Sequence, residues 1–158
     1  MGEFTNPPAI YRPVVINNDG GGLVDSYEAA VNRYTVEGRE VRIKGSCRSA
    51  CILSLAVPNV CVYPSAVVKA HNAYEQNTGL RRPDVTARML SWLPAKIQSR
   101  LKGRITDSYN TQTVLSGSEL ISLGVRRCDG SKDKTVVAKD KASTCAWAFP
   151  WLIKCLLK

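Results

Sequence analysis

The first patterned stretch of the chain is a short continuous apolar run, Val14-Val15-Ile16, within Tyr11 to Asn17. A run without polar alternation predicts a strand buried on both faces, as in a parallel sheet. Gly20-Gly21-Gly22 follows. It predicts a turn whose backbone takes positive φ and approaches another group closely. Leu23, Tyr27, Ala30 and Tyr34 then recur at helical spacing, so residues 23–37 are expected to form an amphipathic helix ended by Gly38. Val41 to Lys44 is the second expected strand. Strand, glycine loop, helix, strand is a right-handed βαβ unit by the handedness rule for parallel crossovers.

Beyond Lys44 the pattern predicts a tight corner, Gly45-Ser46-Cys47-Arg48, with Ser49 at its end. Ala50 to Val57 is apolar nearly all round, which predicts a buried helix. Pro58-Asn59 breaks it. Val60 to Val68 is expected as a second extended segment, delivering His71, the single histidine of the chain. Asn72 to Pro83 is polar and reads as an irregular rim. Its Arg81-Arg82 pair faces solvent or meets an acidic substrate. Pro83-Asp84 opens a helix over residues 84–102 with the stripe Met89, Leu93, Ile97 and Leu101, and Pro94 should kink or split it. An ordered segment begins at Val114. A late helix then starts at Ser116 or Gly117, with Glu119 in its first turn and Leu120, Ile121 and Leu123 packed inward. Gly124 stops it and Val125 begins a short strand.

This layout assembles a candidate site. Parallel neighbouring strands end on the same side of a sheet, so the Gly20-Gly21 loop and the Ser49 corner should lie side by side. Ser49 is then a candidate nucleophile and His71 its general base. The backbone N–H of Gly21 (or Gly20) and of Ala50 are candidates for an oxyanion hole, because a helix start leaves N–H groups without intrahelical acceptors. The plain alternative is a serine that caps a helix and a glycine loop that only turns. A phosphate-binding loop does not fit, since no Gly-Lys-Ser/Thr follows the glycines.

The residues Cys47-Arg48-Ser49-Ala50-Cys51 and Pro64-Ser65-Ala66-Val67-Val68-Lys69-Ala70-His71 resemble the Clp protease proteolytic subunit family, and most closely its small, cysteine-containing secreted relatives. Ile16-Asn17-Asn18-Asp19-Gly20-Gly21 is similar to the family's oxyanion-hole loop, with Asp19 where the family has proline, a change expected to loosen the loop. Leu115 to Val125 resembles its late helix and strand. The resemblance covers residues 10–128. It implies an α/β fold of the Clp/crotonase type: repeated ββα and βαβ units with a mostly parallel sheet flanked by helices. It also implies Ser49 as nucleophile and His71 as base, acting on a peptide or acyl substrate without metal or cofactor. The family's aspartate, which orients the histidine, falls at Gln112 here. Asp107 and Asn110 are the nearby candidates for that third role, and a Ser-His dyad is the remaining option. Ring assembly and an ATP-driven unfoldase are not carried over, although a homo-oligomer stays open.

Composition adds a compartment and a tail. The 158 residues, 44% hydrophobic, suit one domain. The longest apolar runs fall short of the roughly 18 residues a membrane span needs. Residues 1–9 read as disordered, and Met1-Gly2-Glu3-Phe4 resembles a cloning remnant, so an export signal is expected to have been trimmed. Six cysteines (47, 51, 61, 128, 145, 155) favour disulfides and a periplasmic or secreted location over zinc, with one bridge expected within Cys47, Cys51 and Cys61. The net charge of +9 reads first as a solvated basic face and otherwise suits nucleic acid, anionic lipid or acidic glycans, but no aromatic and basic interleaving suggests a specific nucleic-acid module. Residues 129–158 form a basic linker and an apolar, tryptophan-containing end. Residues 142–158 either dock on protein or lie on an anionic membrane surface. If that end is one straight helix, Cys145 and Cys155 stand about 15 Å apart and cannot pair. The two readings are thus a serine hydrolase and a catalytically weak scaffold that binds through its tail.

Overall fold

The computed structural model describes residues 11–105 and 112–128. The expected linker and tail, residues 129–158, the N-terminal segment 1–9, and Asp107 and Asn110 lie outside the described residues. The fold is mixed α/β, with a mostly parallel, curled sheet and flanking helices.

Strand β1 (Val14–Asp19) leads through the glycine loop into helix α1 (Val24–Val36), and β2 (Val41–Arg48) returns beside β1 in parallel. The other edge of β2 is shared by two strands in succession. β3 (Val60–Val62) pairs with its first half and β4 (Val67–Ala70) with its second, both parallel. The extended segment expected over Val60 to Val68 is therefore two strands. The chain leaves the sheet between them, where Ala66 N–H donates to Tyr63 O across a turn containing Pro64, which has no N–H to give a ladder. β5 (Thr113–Ser116) lies antiparallel to β4, and β6 (Arg126–Arg127) lies parallel to β3.

Two expectations about the first unit need correction. Among the described residues β1 is bonded to β2 alone, and Val15 is 47% exposed while Ile16 is buried, so this run is an edge strand rather than one covered on both faces. In α1 the inward stripe is Val24, Tyr27, Val31 and Tyr34; Leu23 precedes the helix and is exposed.

β2 is longer than the sequence suggested. Residues 45–48 are strand, not corner, and the register with β1 slips between Ile16 and Asn18, where β2 carries one extra residue. At this bulge a Cβ on Gly45 would sit 2.0 Å from Asn17 O, so only glycine fits. The real corner is Ser49. From it runs a 3₁₀ helix, Ser49–Ala56, with Ala50 to Leu55 buried. This is where an ordinary buried helix over Ala50 to Val57 was expected. Each of Ile52, Leu53 and Leu55 contributes about 1.5–3 kcal/mol by leaving water.

The long helix divides at Pro94, as expected, into α2 (Pro83–Ser91) and α3 (Ala95–Leu101). Met89, Leu93, Ile97 and Leu101 are all buried. Helix α4 (Gly117–Ser122) starts at Ser116, whose side chain accepts from Glu119 N–H at 3.1 Å. Two disulfides cross-link the domain, Cys47–Cys51 and Cys61–Cys128. The first is the bridge expected beside the serine. The second ties β3 to the end of β6. Both are compatible with an extracellular or periplasmic location. Among the described residues, no helix is long and apolar enough to cross a membrane.

Candidate functional site

Ser49 is the residue on which the site is built. It has φ +55°, and it is the one non-glycine among the described residues with positive φ. A side chain in the left-handed region costs about 1–3 kcal/mol and persists only where its surroundings over-determine it. Three features do so here. Cys47 and Cys51 are bonded across the corner. The 3₁₀ helix that follows is buried. Gly21 packs directly on the corner, such that a Cβ there would lie 2.6 Å from both Arg48 O and Ser49 Cβ. The same close approach brings the glycine loop to Ala50 N, 3.1 Å from that Cβ position.

His71 reaches the same place from the next strand. β2 and β4 run parallel with Arg48 opposite Lys69. Ser49 therefore follows the last paired residue of β2, and His71 lies one step past the corresponding point of β4. Neighbouring strands are about 4.8 Å apart, so these strand ends deliver both side chains to one end of the sheet. Both line a cleft of about 870 Å³, together with Gly20, Gly21 and Gly22. Its remaining walls come from the start of α1, from α2 and from residues 73–76.

The histidine is buried, and its Nδ1 lies 2.6 Å from Asn72 O. A carbonyl only accepts, so this contact is a hydrogen bond for the Nδ1–H tautomer. That tautomer leaves the lone pair on Nε2, as a general base requires. Position 72 is held in turn. Ala73 N–H donates to Thr86 Oγ1 at 2.8 Å, and Arg82 N–H donates to Ala73 O at 2.8 Å. The segment expected as an irregular rim is a small hairpin. Tyr74 bridges Arg81, and Glu75 N–H donates to Leu80 O.

The candidates for the third role divide between the two regions. Asp107 and Asn110 fall outside the described residues. Gln112 is half-buried at the entry to β5. The antiparallel register pairs Ala70 with Thr113, and its next step sets position 112 opposite position 71. Gln112 thus stands one step beyond the last pair of the β4–β5 ladder, at the same end of it as His71.

The glycine loop departs from expectation. Asp19 does not loosen it. Asp19 Oδ1 accepts from Gly21 N–H at 2.8 Å and from Tyr27 Oη–H at 2.6 Å, and so clips the loop to α1. Burial, with the hydrogen bond and charge of Asp19, pushes the Tyr27 hydroxyl well above its ordinary range. The Gly21 N–H proposed for an oxyanion is therefore engaged with a carboxylate. Gly20 and Ala50 are the other two expected donors. Ala50 stands in the first turn of the 3₁₀ helix, where N–H groups lack an intrahelical acceptor.

Asn72, Thr86, Tyr27 and Arg88 were missed by sequence reasoning. Arg88 joins α2 to α1 through Asp25 and Glu28, the latter at 3.0 Å, along the cleft wall. A polar residue at a buried helical position, as Thr86 is on α2, was the one available signal. The four described cysteines are all consumed in disulfides, and no cluster of three or more metal-ligating side chains occurs among the described residues. In comparisons with known proteins, no family model matches the chain and no curated protein matches it significantly.

Proposed function

We propose that this chain is a serine hydrolase, peptidase-like, of the Clp/crotonase architecture and of a periplasmic or secreted setting. The observation that carries the reading is Ser49. It is a serine held at positive φ at a strand-to-helix turn, on a cleft shared with the only histidine and the glycine loop. Strained strand-to-helix turns of this kind expose a nucleophilic Oγ.

The chemistry runs as follows. Ser49 Oγ attacks the acyl carbon of a peptide or ester while His71 Nε2 takes the hydroxyl proton. The former carbonyl oxygen, now negative, is met by Ala50 N–H and by an N–H of the glycine loop. Collapse expels the amine or alcohol, which leaves with the proton from His71. Water then repeats the sequence and releases the acid. Asn72 O holds the ring through Nδ1–H. Nothing in these steps calls on a cofactor.

The test is labelling of the oxidised full chain with a fluorophosphonate probe, mapped by mass spectrometry. Label on Ser49 that disappears in Ser49→Ala and His71→Ala is the expected result. Label that persists in Ser49→Ala refutes the assignment.

A second reading, a scaffold that binds through residues 142–158, is favoured by the engaged Gly21 N–H and by Gln112 in place of an acid. Anionic vesicle binding by the chain with and without residues 142–158 tests it; binding independent of those residues removes the lipid version.

A further inference from the structure

We propose that Asp19 is a gate on the oxyanion hole: its carboxylate holds the Gly21 N–H, and Ser49 becomes fully reactive only when that contact opens. The inference rests on the hydrolase reading of Ser49.

The geometry gives three reasons. Gly21 is the loop residue in contact with the nucleophile. Its missing Cβ would collide with Ser49 Cβ and come within 3.1 Å of Ala50 N. Gly21 and Ala50 thus stand together at the Ser49 corner, where an oxyanion would form. The Gly21 N–H is already given to Asp19 Oδ1 at 2.8 Å. A tetrahedral intermediate must compete for it with a full negative charge, and it must form beside that charge. Only interactions gained in the transition state speed the chemistry, so a donor that is satisfied beforehand contributes little. The contact is also held rather than incidental. Tyr27 Oη–H donates to the same Oδ1 at 2.6 Å from α1, which fixes the carboxylate over the loop.

A purely structural Asx turn would hold the same atoms, and labelling rates separate the two. The experiment follows the rate of fluorophosphonate labelling at Ser49 in the oxidised full chain, comparing wild type with Asp19→Ala and Asp19→Asn, each with and without Ser49→Ala. Removing one oxyanion donor slows enzymes by about 10²- to 10³-fold, so freeing one should raise the Asp19→Ala rate by about 10²-fold. Asp19→Asn should fall between, since its amide oxygen can accept the same N–H without the charge. Rates at or below wild type in both variants, with label still dependent on Ser49, overturn the gate and leave the nucleophile in place. No label in any variant, with all of them folded by thermal melting, overturns both. If Asp19→Ala does not fold, the isosteric Asp19→Asn decides: a wild-type rate refutes the gate, and a faster one supports it.

Discussion

Gly20 and Gly21 are adjacent, chemically identical, and predicted to respond very differently to a methyl group. Gly21 has φ +84°, a region that costs an L residue about 1–2 kcal/mol. Its added Cβ would also lie 2.6 Å from Arg48 O and from Ser49 Cβ, against backbone and a disulfide-held corner that cannot swing aside. Overpacking of that kind costs about 1–3 kcal/mol more. Gly21→Ala should therefore lose about 2–5 kcal/mol. At about 2–4 °C per kcal/mol for a chain of this size, its melting temperature should fall by about 4–20 °C. A Cβ on Gly20 meets nothing within 4 Å, and its φ is not positive. Gly20→Ala should stay within about 0.5 kcal/mol, or roughly 2 °C. The assay is calorimetry of both variants, oxidised and full length, at neutral pH. Fluorophosphonate labelling gives a second readout. A displacement of the corner by about 1 Å can cost about 10²-fold in reactivity, so Gly21→Ala should also label far more slowly. Equal melting temperatures for the two variants would refute the close approach of the loop to Ser49.

The two disulfides should separate stability from reactivity. By loop closure, the Cys61–Cys128 bridge, spanning 67 residues, contributes about 4 kcal/mol, and Cys47–Cys51, spanning 4, about 2 kcal/mol. Paired Cys→Ala variants should rank that way in thermal melts, while labelling falls further in Cys47→Ala/Cys51→Ala; the opposite ranking of labelling would deny the bridge its part in holding Ser49. Gln112→Asp places a carboxylate opposite His71 and should speed labelling by about tenfold or more at neutral pH, the gain fading as the new acid is protonated. An unchanged pH–rate profile would show that position 112 does not reach the ring. The Asp84 carboxyl is held at about 2, below its ordinary 3.8, chiefly by the hydrogen bond from Arg82. A depressed folded pKa contributes stability that is present above the unfolded value and is lost as pH falls from about 4 towards 2. Melts of Asp84→Asn across that window should show a shallower acid slope than wild type; parallel slopes would exclude the pair.

The periodic parts of this chain were legible from sequence, and the corners were not. Met89, Leu93, Ile97 and Leu101 repeat at helical spacing, and Pro94 cannot donate to a helix, so both the buried stripe and its split could be read directly. The β1–α1–β2 unit was legible for the same reason, and with it the neighbourhood of glycine loop and serine. Local pattern does not report who lies beyond a strand. Val15 looks buried in the run Val14-Val15-Ile16 and is 47% exposed, whereas Ile16, which points to the opposite face of the strand, is buried. Gly45 read as a turn residue, although it marks a bulge forced by Asn17 O on the neighbouring strand. The site divides the same way. Ser49 and His71 could be named from their places at the ends of segments. The positive φ of Ser49, the contact of His71 Nδ1 with Asn72 O and the Asp19 contact are three-dimensional facts with no one-dimensional signature.

The two halves of the candidate oxyanion hole are held by different kinds of force, and this decides where control can lie. The Ser49 side is fixed covalently by Cys47–Cys51 and by a buried 3₁₀ helix, so moving it would break a bond or expose Ile52 and Leu53. Such a corner can store about 1–3 kcal/mol of backbone strain without relaxing. The Gly21 side is fixed by hydrogen bonds to one half-buried carboxylate, each worth about 1.5–3 kcal/mol because a charge takes part. A change of that size is within reach of a bound substrate or a single substitution, whereas the corner is not. Any adjustment of reactivity at Ser49 should therefore act through Asp19 and the glycine loop, with the serine itself as the stationary partner.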